Sequence, residues 1–263
     1  MKNKKNPYLQ KIKREKISII IWQILILIVF MLGWELSVRF NLINGFIFSS
    51  PTRIMNTITG LYESNMLFIH IGTTLFATII GFILAFVIGF LVSMLMWWFP
   101  KFSKVINPYL TILNSLPKVA LGPIFIIWVG AGMNSIIVMA LCISVIISII
   151  NISIGFQNTD PDKIKLLQAF KATKWQKFTS VVVPSNYHIL IETLKINISM
   201  SLIGVIMGEL LVSRHGIGWM IMYGSQVFNL DLVMTGIVIL GIISTVLYML
   251  VTYVEKKALK HLY

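Results

Sequence analysis

Long apolar runs restrict this chain more than any other feature of its sequence. A helix that rises about 1.5 Å per residue needs ~20 residues to cross a bilayer, and inside lipid it satisfies its own backbone hydrogen bonds. With 57% apolar and only 12% charged residues, the chain is predicted to be an all-α, polytopic membrane protein. The predominantly apolar runs of sufficient length are residues 17–38, 67–99, 135–156, 187–212 and 232–254.

The basic residues indicate how these runs cross the bilayer. Of the 22 Lys and Arg residues, 17 lie at the two ends or in every second connection, and three lie in the alternate connections. Because Lys and Arg accumulate on the cytoplasmic side, the richer segments are predicted to be cytoplasmic. The chain must then cross twice between Lys104 and Lys163, so residues 105–130 have to span despite three prolines. This topology has six transmembrane helices and cytoplasmic termini.

The same reasoning divides the chain into segments. The first apolar run follows a basic segment and has no evident small-residue cleavage site, so we interpret it as a retained span and not a signal peptide. The predicted segments are a basic cytoplasmic N-terminus (1–16), the first span (17–38), an extracytoplasmic connection (39–66), a transmembrane core of five helices (67–254) and a cytoplasmic tail (255–263).

Residues 158–185, NTDPDKIKLLQAFKATKWQKFTSVVVPS, form the longest polar interruption of the C-terminal two-thirds. Asp160 and Pro161 have the features of a helix start, an N-cap acceptor followed by proline at the first helical position. Thr173 and Gln176 have capping-box spacing and predict a second start. Apolar residues recur at helical spacing behind each start. We therefore predict two short amphipathic helices that offer a surface to a cytoplasmic partner.

Several classes of function are disfavoured. The sequence has no Gly-Lys dipeptide, and hence no Walker phosphate loop, and no Gly-x-Ser of a nucleophile elbow. Its four histidines have no ligand spacing, and Cys142 is the single cysteine. The net charge of +13 comes from clusters between apolar runs, which argues against nucleic-acid binding. We predict no enzymatic activity and no metal or cofactor bound by this chain.

Charged residues inside the predicted spans are candidates for a solute path. A carboxylate at mid-membrane costs roughly 2.5–3.5 kcal/mol, and less near the surface. Lys118, beside Pro117, either snorkels from the cytoplasmic end of its helix or lines the path. For Glu209, near the outer end of its span, an interfacial position or a structural partner is favoured over a substrate contact. Glu192 and Lys195 are near an inner end, where snorkelling is expected.

Residues 158–185 resemble the cytoplasmic EAA loop of binding-protein-dependent ABC importer permeases. The apolar-x-apolar-proline end of that motif is present as Val181, Val183 and Pro184, and KATKWQKF is similar to its middle run. The start of the motif differs from the family pattern at four positions. Lys165 stands in place of the glutamate, Leu166 and Leu167 in place of the alanines, and Lys171 in place of the glycine.

Three further stretches are similar to the sulfonate/taurine/nitrate branch of this family. They are LPKVALGPIFIIWVGAGMNSII (116–137), ETLKINI (192–198) and GELLVSRHGIGWMI (208–221). The four matches occur in the family's order and extend the resemblance from about residue 48 to the C-terminus.

The resemblance implies the permease subunit of a type I ABC importer, a multi-pass cell-membrane protein that forms the translocation path. The implied partners are a cytoplasmic ATPase subunit that uses ATP, an extracytoplasmic solute-binding protein, a second copy of the chain and the lipid bilayer. The implied cargo is a small organic anion such as a sulfonate, or a related small solute. The implied ATPase-coupling residues are Leu167, Gln168, Ala169, Phe170, Lys171, Ala172 and Trp175, and the path residues are Pro117, Lys118, Trp128 and Glu209.

Two alternatives come from other classes of protein. An ATP-independent secondary transporter would need inverted repeats or paired intramembrane acids, and neither is evident in the sequence. A membrane anchor or receptor subunit without transport would leave the two amphipathic helices and the proline-broken span unexplained.

Overall fold

A computed structural model describes residues 7–260 of the chain, with the side chains of residues 14–257. Residues 1–6 and 261–263, which belong to the predicted basic N-terminus and the tail, lie outside the described residues. All regular structure between residues 7 and 260 is helical. The α-helices are α1 (Pro7–Arg39), α2 (Gly45–Phe48), α3 (Pro51–Glu63), α4 (Met66–Trp98), α5 (Pro100–Ser115), α6 (Gly122–Val129), α7 (Met133–Gln157), α8 (Pro161–Ala169), α9 (Lys174–Lys177), α10 (Val183–Ser185), α11 (Tyr187–Val212), α12 (Ile217–Gln226) and α13 (Leu230–Lys260), with a 3₁₀ turn at Lys118–Leu121 and a π-helical turn at Phe178–Val182.

The described helices agree with the predicted fold class. Five of them, α1, α4, α7, α11 and α13, are long and apolar enough to cross a membrane. The sixth predicted span is a bent pair, because Pro100–Ser115 and Lys118–Val129 meet at an angle of 88°. Pro117 has no N–H to donate and disfavours helical backbone at Leu116, so the helix ends there. The all-α polytopic fold is confirmed, with one of its six spans sharply broken.

Small residues hold α4, α7 and α11 close together. A Cβ placed at Gly81 of α4 would lie 2.7 Å from the Cβ of Ala140 on α7, and one at Gly204 of α11 would lie 2.5 Å from the Cα of Ala140. Close backbone approach of this kind is the usual basis of helix association in lipid. We call the buried small residues at every fourth position of α4 the small-residue stripe; they are Ala77, Gly81, Ala85, Gly89 and Ser93.

Buried hydrogen bonds join the same three helices. The Ser148 hydroxyl of α7 donates to Oδ1 of Asn197 on α11 over 2.7 Å. The Ser93 hydroxyl of α4 donates to the carbonyl oxygen of Ile149 over 3.0 Å. These two hydrogen bonds join neighbouring helices and offset part of the cost of burying polar groups, although Nδ2 of Asn197 is buried without a partner.

The connection between the last two long helices contains a helix, α12, that the sequence did not predict. Ile217 and Met220 of α12 are buried in an apolar cluster with Ile198 of α11 and Ile243 of α13. Glycines and polar residues surround this short stretch, and ten residues are too few for a span. The sequence pattern of α12 was therefore interpreted as a loop and not as a helix.

The close approach at Ala140 leads to a stability prediction. We expect Gly204→Ala to lower the free energy of unfolding by about 1–3 kcal/mol, because the added methyl group meets the backbone of α7 and forces it away. Thermal unfolding of the purified chain in detergent measures the change. Gly72→Ala on α4 is the matched control, since its Cβ has nothing within 4 Å. Equal midpoints for both variants would contradict a tight contact at Ala140.

Candidate functional site

The helices α8 and α9 form the first candidate surface, and each begins at a helix start that the sequence predicts. Asp160 accepts a hydrogen bond from the backbone N–H of Asp162 over 2.9 Å. Thr173 and Gln176 form a complete capping box, in which each side chain accepts from the other residue's backbone N–H. Capped ends satisfy donors that would otherwise need water. Both short helices are thus locally stabilised before any partner binds.

An aromatic cluster between these helices and the ends of α4 and α7 attaches them to the bundle. The buried ring of Phe178 lies 5.3 Å from Phe156 at the end of α7 and 5.2 Å from Trp97 at the end of α4. Phe90 completes the cluster, 5.7 Å from Phe156 in an edge-to-face arrangement. Such pairs contribute about 0.5–1.5 kcal/mol each beyond the area they bury. The segment after α9 is therefore packed directly onto the ends of two spans.

Polar contacts strengthen this attachment. The Lys174 ammonium donates to the carbonyl oxygen of Trp98 and lies 5.3 Å from the centroid of that ring. It thereby satisfies a carbonyl at the end of α4 and makes a cation–π contact. Asn186 donates to the Thr159 hydroxyl over 2.8 Å, which ties the two ends of the segment together.

The outward side of α8 and α9 carries exposed apolar groups. Phe170 is 76% exposed, and Leu166 and Trp175 are 61% and 56% exposed. We call Leu166, Ala169 and Phe170 the exposed patch; all three are exposed. Of the other coupling residues expected from the resemblance, Gln168, Lys171 and Trp175 are exposed, and Leu167 and Ala172 are half-buried. The segment has one face on the bundle and a second, partly apolar face that is exposed, although the Trp175 ring also lies 6.2 Å from Trp98 and 6.0 Å from Phe178.

Lys171, where the family pattern has glycine, has left-handed backbone geometry. Its φ is +55°, and it follows the C-cap residue Phe170. The N–H of Lys171 donates to the carbonyl of Gln168, and that of Ala172 donates to Leu167. A left-handed residue at this point ends the helix and turns the chain towards α9. Glycine adopts this conformation without the cost that a side chain brings.

This geometry predicts that Lys171→Gly stabilises the segment. We expect a gain of up to about 1–2 kcal/mol, because a left-handed residue with a side chain carries about that cost. Hydrogen exchange of the α8 and α9 amides measures it as slower exchange. Lys165→Gly, inside α8, is the control and should accelerate exchange, since glycine costs about 1 kcal/mol in a helix interior. Faster exchange in Lys171→Gly would contradict the argument.

Glu209 lies at the opposite end of the bundle in a buried network. It is 1% exposed, and its carboxylate accepts hydrogen bonds from the Thr74 hydroxyl of α4, at 2.8 and 3.0 Å, and from the N–H of Gly218, at 2.7 Å. Gly216 has φ +109°, and a Cβ there would overlap the carboxylate. Glu209 thus fastens the start of α12 to α4.

His70 and Thr74 extend this network on α4. Nδ1 of His70 accepts from the N–H of Gly216 over 3.0 Å, and the Thr74 hydroxyl oxygen accepts from the N–H of Ile217 over 2.9 Å. The His70 ring stacks on Trp219 with centroids 5.3 Å apart. Sequence reasoning missed both residues. The Gly-Ile-Gly sequence indicates a tight turn, but nothing in the chain order links it to a helix more than 140 residues earlier.

The Glu209 network predicts unequal effects of two substitutions. Glu209→Ala should lower the free energy of unfolding by at least about 1–3 kcal/mol, because buried donors lose their acceptor. Glu209→Gln keeps one acceptor oxygen for Gly218 and should cost less. Thermal unfolding of the two variants tests this order. If both cost the same, these hydrogen bonds do not determine the position of the start of α12.

The remaining path residues expected from the resemblance lie at the bent pair. Pro117 is at the break, and Nζ of Lys118 donates to Oδ1 of Asn114 over 3.2 Å. Trp128 is 75% exposed on α6 and contacts Phe125 edge-to-face at 6.2 Å. The structure therefore groups Pro117 and Lys118, places Trp128 on the surface of the same broken segment, and buries Glu209 inside the bundle.

The family described as "Binding-protein-dependent transport system inner membrane component" matches residues 77–260. That is more than half of the chain and includes α7 to α12. The chain belongs to this family. It is a permease subunit of the type I ABC importers and a multi-pass protein of the inner membrane.

Curated relatives have related names and varied cargo. The formylaminopyrimidine transport permease of Halalkalibacterium halodurans is 28% identical over 74% of this chain and 77% of its own length. A putative aliphatic sulfonates transport permease of Bacillus subtilis is 23% identical over 86% of this chain and 82% of its own. The resemblance to ABC permeases that include the sulfonate branch is confirmed.

A solved structure is similar in fold. It is the MetNI methionine ABC transporter in an inward-facing conformation, which matches 72% of this chain and 94% of its own with a TM-score of 0.63 and 19% identity. At this identity the match supports the helical arrangement alone.

Proposed function

We propose that two copies of this chain form the translocation path of an ABC importer and that the segment from α8 to α10 couples each copy to one ATPase subunit. The exposed patch carries this proposal. Leu166 and Phe170 have large, exposed apolar side chains. Leu166 lies on α8, whose start is capped, and Phe170 is the C-cap of this helix. Apolar groups of this kind are typical anchors of a helix that docks into a groove.

Coupling requires that movement of the ATPase reaches the spans. The helices carrying the exposed patch connect, through Phe178, to the ends of α4 and α7. An aromatic cluster packed at crystal-like density transmits displacement instead of absorbing it. When the ATPase subunits close on ATP, the segment should move as a rigid lever and shift α4 and α7 with it. ATP is thus used by the partner and is not bound by this chain.

The translocation path is proposed to run along the bent pair, where the second copy meets it. Residues 111–117 are all exposed in the single chain, which is costly in lipid because the helix is broken at Pro117 and backbone groups are left unpaired. A second copy would cover part of it and leave Pro117, Lys118 and Trp128 beside the solute. Glu209 would support this path from within the bundle.

The remaining proposals concern sidedness and cargo. The lysine-rich segments, including 163–177, are proposed to lie in the cytoplasm, so an extracytoplasmic solute-binding protein would dock at the opposite end. The cargo is proposed to be a small organic anion such as a sulfonate, or a related small solute. The relatives' differing cargo names, formylaminopyrimidine and aliphatic sulfonates, support a small polar solute as the common class.

The coupling proposal is tested by placing charge in the exposed patch. Ala169→Asp and Phe170→Asp should abolish most co-purification of the ATPase subunit and reduce solute uptake, because an unpaired carboxylate would be buried at the contact. Both side chains are exposed within the chain, so folding should be unaffected. Co-purification from membranes and uptake into cells are the measurements.

Phe40→Asp is the matched control, since Phe40 is 69% exposed at the end of α1 that is proposed to be extracytoplasmic. It should leave ATPase association unchanged. Normal ATPase association and normal uptake in both patch variants would remove the coupling assignment.

A further inference from the structure

An apolar cleft opens between α4, α11 and α13. Its volume is about 440 Å³, and its walls are almost entirely carbon. Phe82 and Phe86 form the α4 wall, and Leu190 and Leu194 belong to the α11 wall. Leu250 and Val254 of α13, also in the lining, remain more than half exposed. The cleft is therefore open to the side of the bundle, in the direction from which lipid reaches it.

One end of the cleft is charged. Nζ of Lys195 lies 2.6 Å from Oε2 of Glu255, and both side chains are about one-fifth exposed. Glu255 and Tyr187 belong to the cleft lining. Tyrosine and an ion pair next to an apolar cavity are typical of the interface between lipid tails and headgroups. The cleft thus runs from the headgroup level into the apolar part of the bundle.

Apart from the ion pair, the exposed charged residues near this end are Glu192, Lys256 and Lys257, which together carry a net charge of +1. Lys195 neutralises Glu255 by direct contact, while Lys257, two residues after Glu255 on α13, is exposed. Lys257 follows Leu250 by seven residues and Val254 by three, so it lies at the Leu250 edge of the helix face that lines the cleft. An anionic group at this end of the cleft would therefore be close to the ammonium group of Lys257, which is not paired with Glu255.

We propose that this cleft binds an anionic phospholipid, with an acyl chain among the apolar walls and the headgroup phosphate near Lys257. A polar cargo would find almost no hydrogen-bond partner on these walls, whereas a hydrocarbon chain needs none. A lysine near the membrane surface favours an anionic lipid by about 1 kcal/mol. The site is separate from the proposed translocation path and from the exposed patch. Its assignment to the cytoplasmic leaflet rests on the proposed topology.

A lipid bound in the cleft would lie close to the segment from α8 to α10. Phe86 and Leu190 line the cleft and also belong to the apolar cluster around Phe156 and Phe178. An acyl chain would fill the space behind this cluster and limit its side-chain movement.

Native mass spectrometry of the full-length chain, purified in detergent with added phosphatidylglycerol or phosphatidylcholine, tests the proposal. The unmodified chain should retain phosphatidylglycerol preferentially. Leu194→Trp should lose the retained lipid, because the indole occupies the cleft. Lys257→Glu should weaken phosphatidylglycerol binding by at least about fivefold, the equivalent of one surface charge, and leave phosphatidylcholine binding unchanged.

Two controls separate the site from general effects. Ile237→Trp adds an indole at a half-exposed position of α13 outside the cleft, and Lys101→Glu reverses an exposed charge elsewhere; neither should change lipid retention. Equal retention by the unmodified chain and Leu194→Trp would overturn the cleft as the site. Equal retention of the two lipids would overturn the anionic preference, and so would an unchanged affinity in Lys257→Glu, whose exposed position avoids a folding defect. Lipid retention does not depend on transport, so loss of the proposed importer function would leave this result interpretable.

Discussion

The contact of three helices at Ala140 is the constraint on which the rest of the bundle depends. In lipid, burying apolar surface between helices gains little over contact with acyl chains, so association relies on close packing and interhelical hydrogen bonds. Gly81 and Gly204 approach Ala140 from two sides, and the small-residue stripe continues this approach along α4. The hydrogen bond between Ser148 and Asn197 is possible because the backbones are already close.

The two ends of this bundle are fastened by different chemistry. At one end, aromatic rings connect the segment from α8 to α10 to α4 and α7, and the strength of the connection comes from area and ring geometry. At the other end, Glu209 holds the start of α12 through directed hydrogen bonds. Tight aromatic packing can transmit a displacement, whereas a buried carboxylate with specific donors fixes one local geometry. The structure thus combines a base that can transmit displacement with a fixed opposite end.

Local patterns made much of this architecture predictable from the sequence. Apolar length predicted the spans, charge distribution required the broken span, and Asp160 and Thr173 predicted helix starts that the structure contains. Contacts between distant segments were not predictable, because no local pattern reports them. The bond between Thr74 and Glu209 joins residues 135 positions apart, and α12 is too short to have the length signal of a span. The departure at Lys171 was visible, but its meaning required the backbone angle, since glycine is preferred there for its left-handed conformation.

The bend between α5 and α6 also affects the thickness of the barrier at that point. The eight residues of α6 extend about 12 Å, less than half of the ~30 Å hydrocarbon layer. A straight helix would span the full hydrocarbon layer. A segment turned by 88° spans only part of this layer, so the rest must be sealed by neighbouring groups. The insulation of the membrane at this place is therefore shared between separate pieces of protein. A relative displacement of those pieces would alter this seal without unfolding any helix.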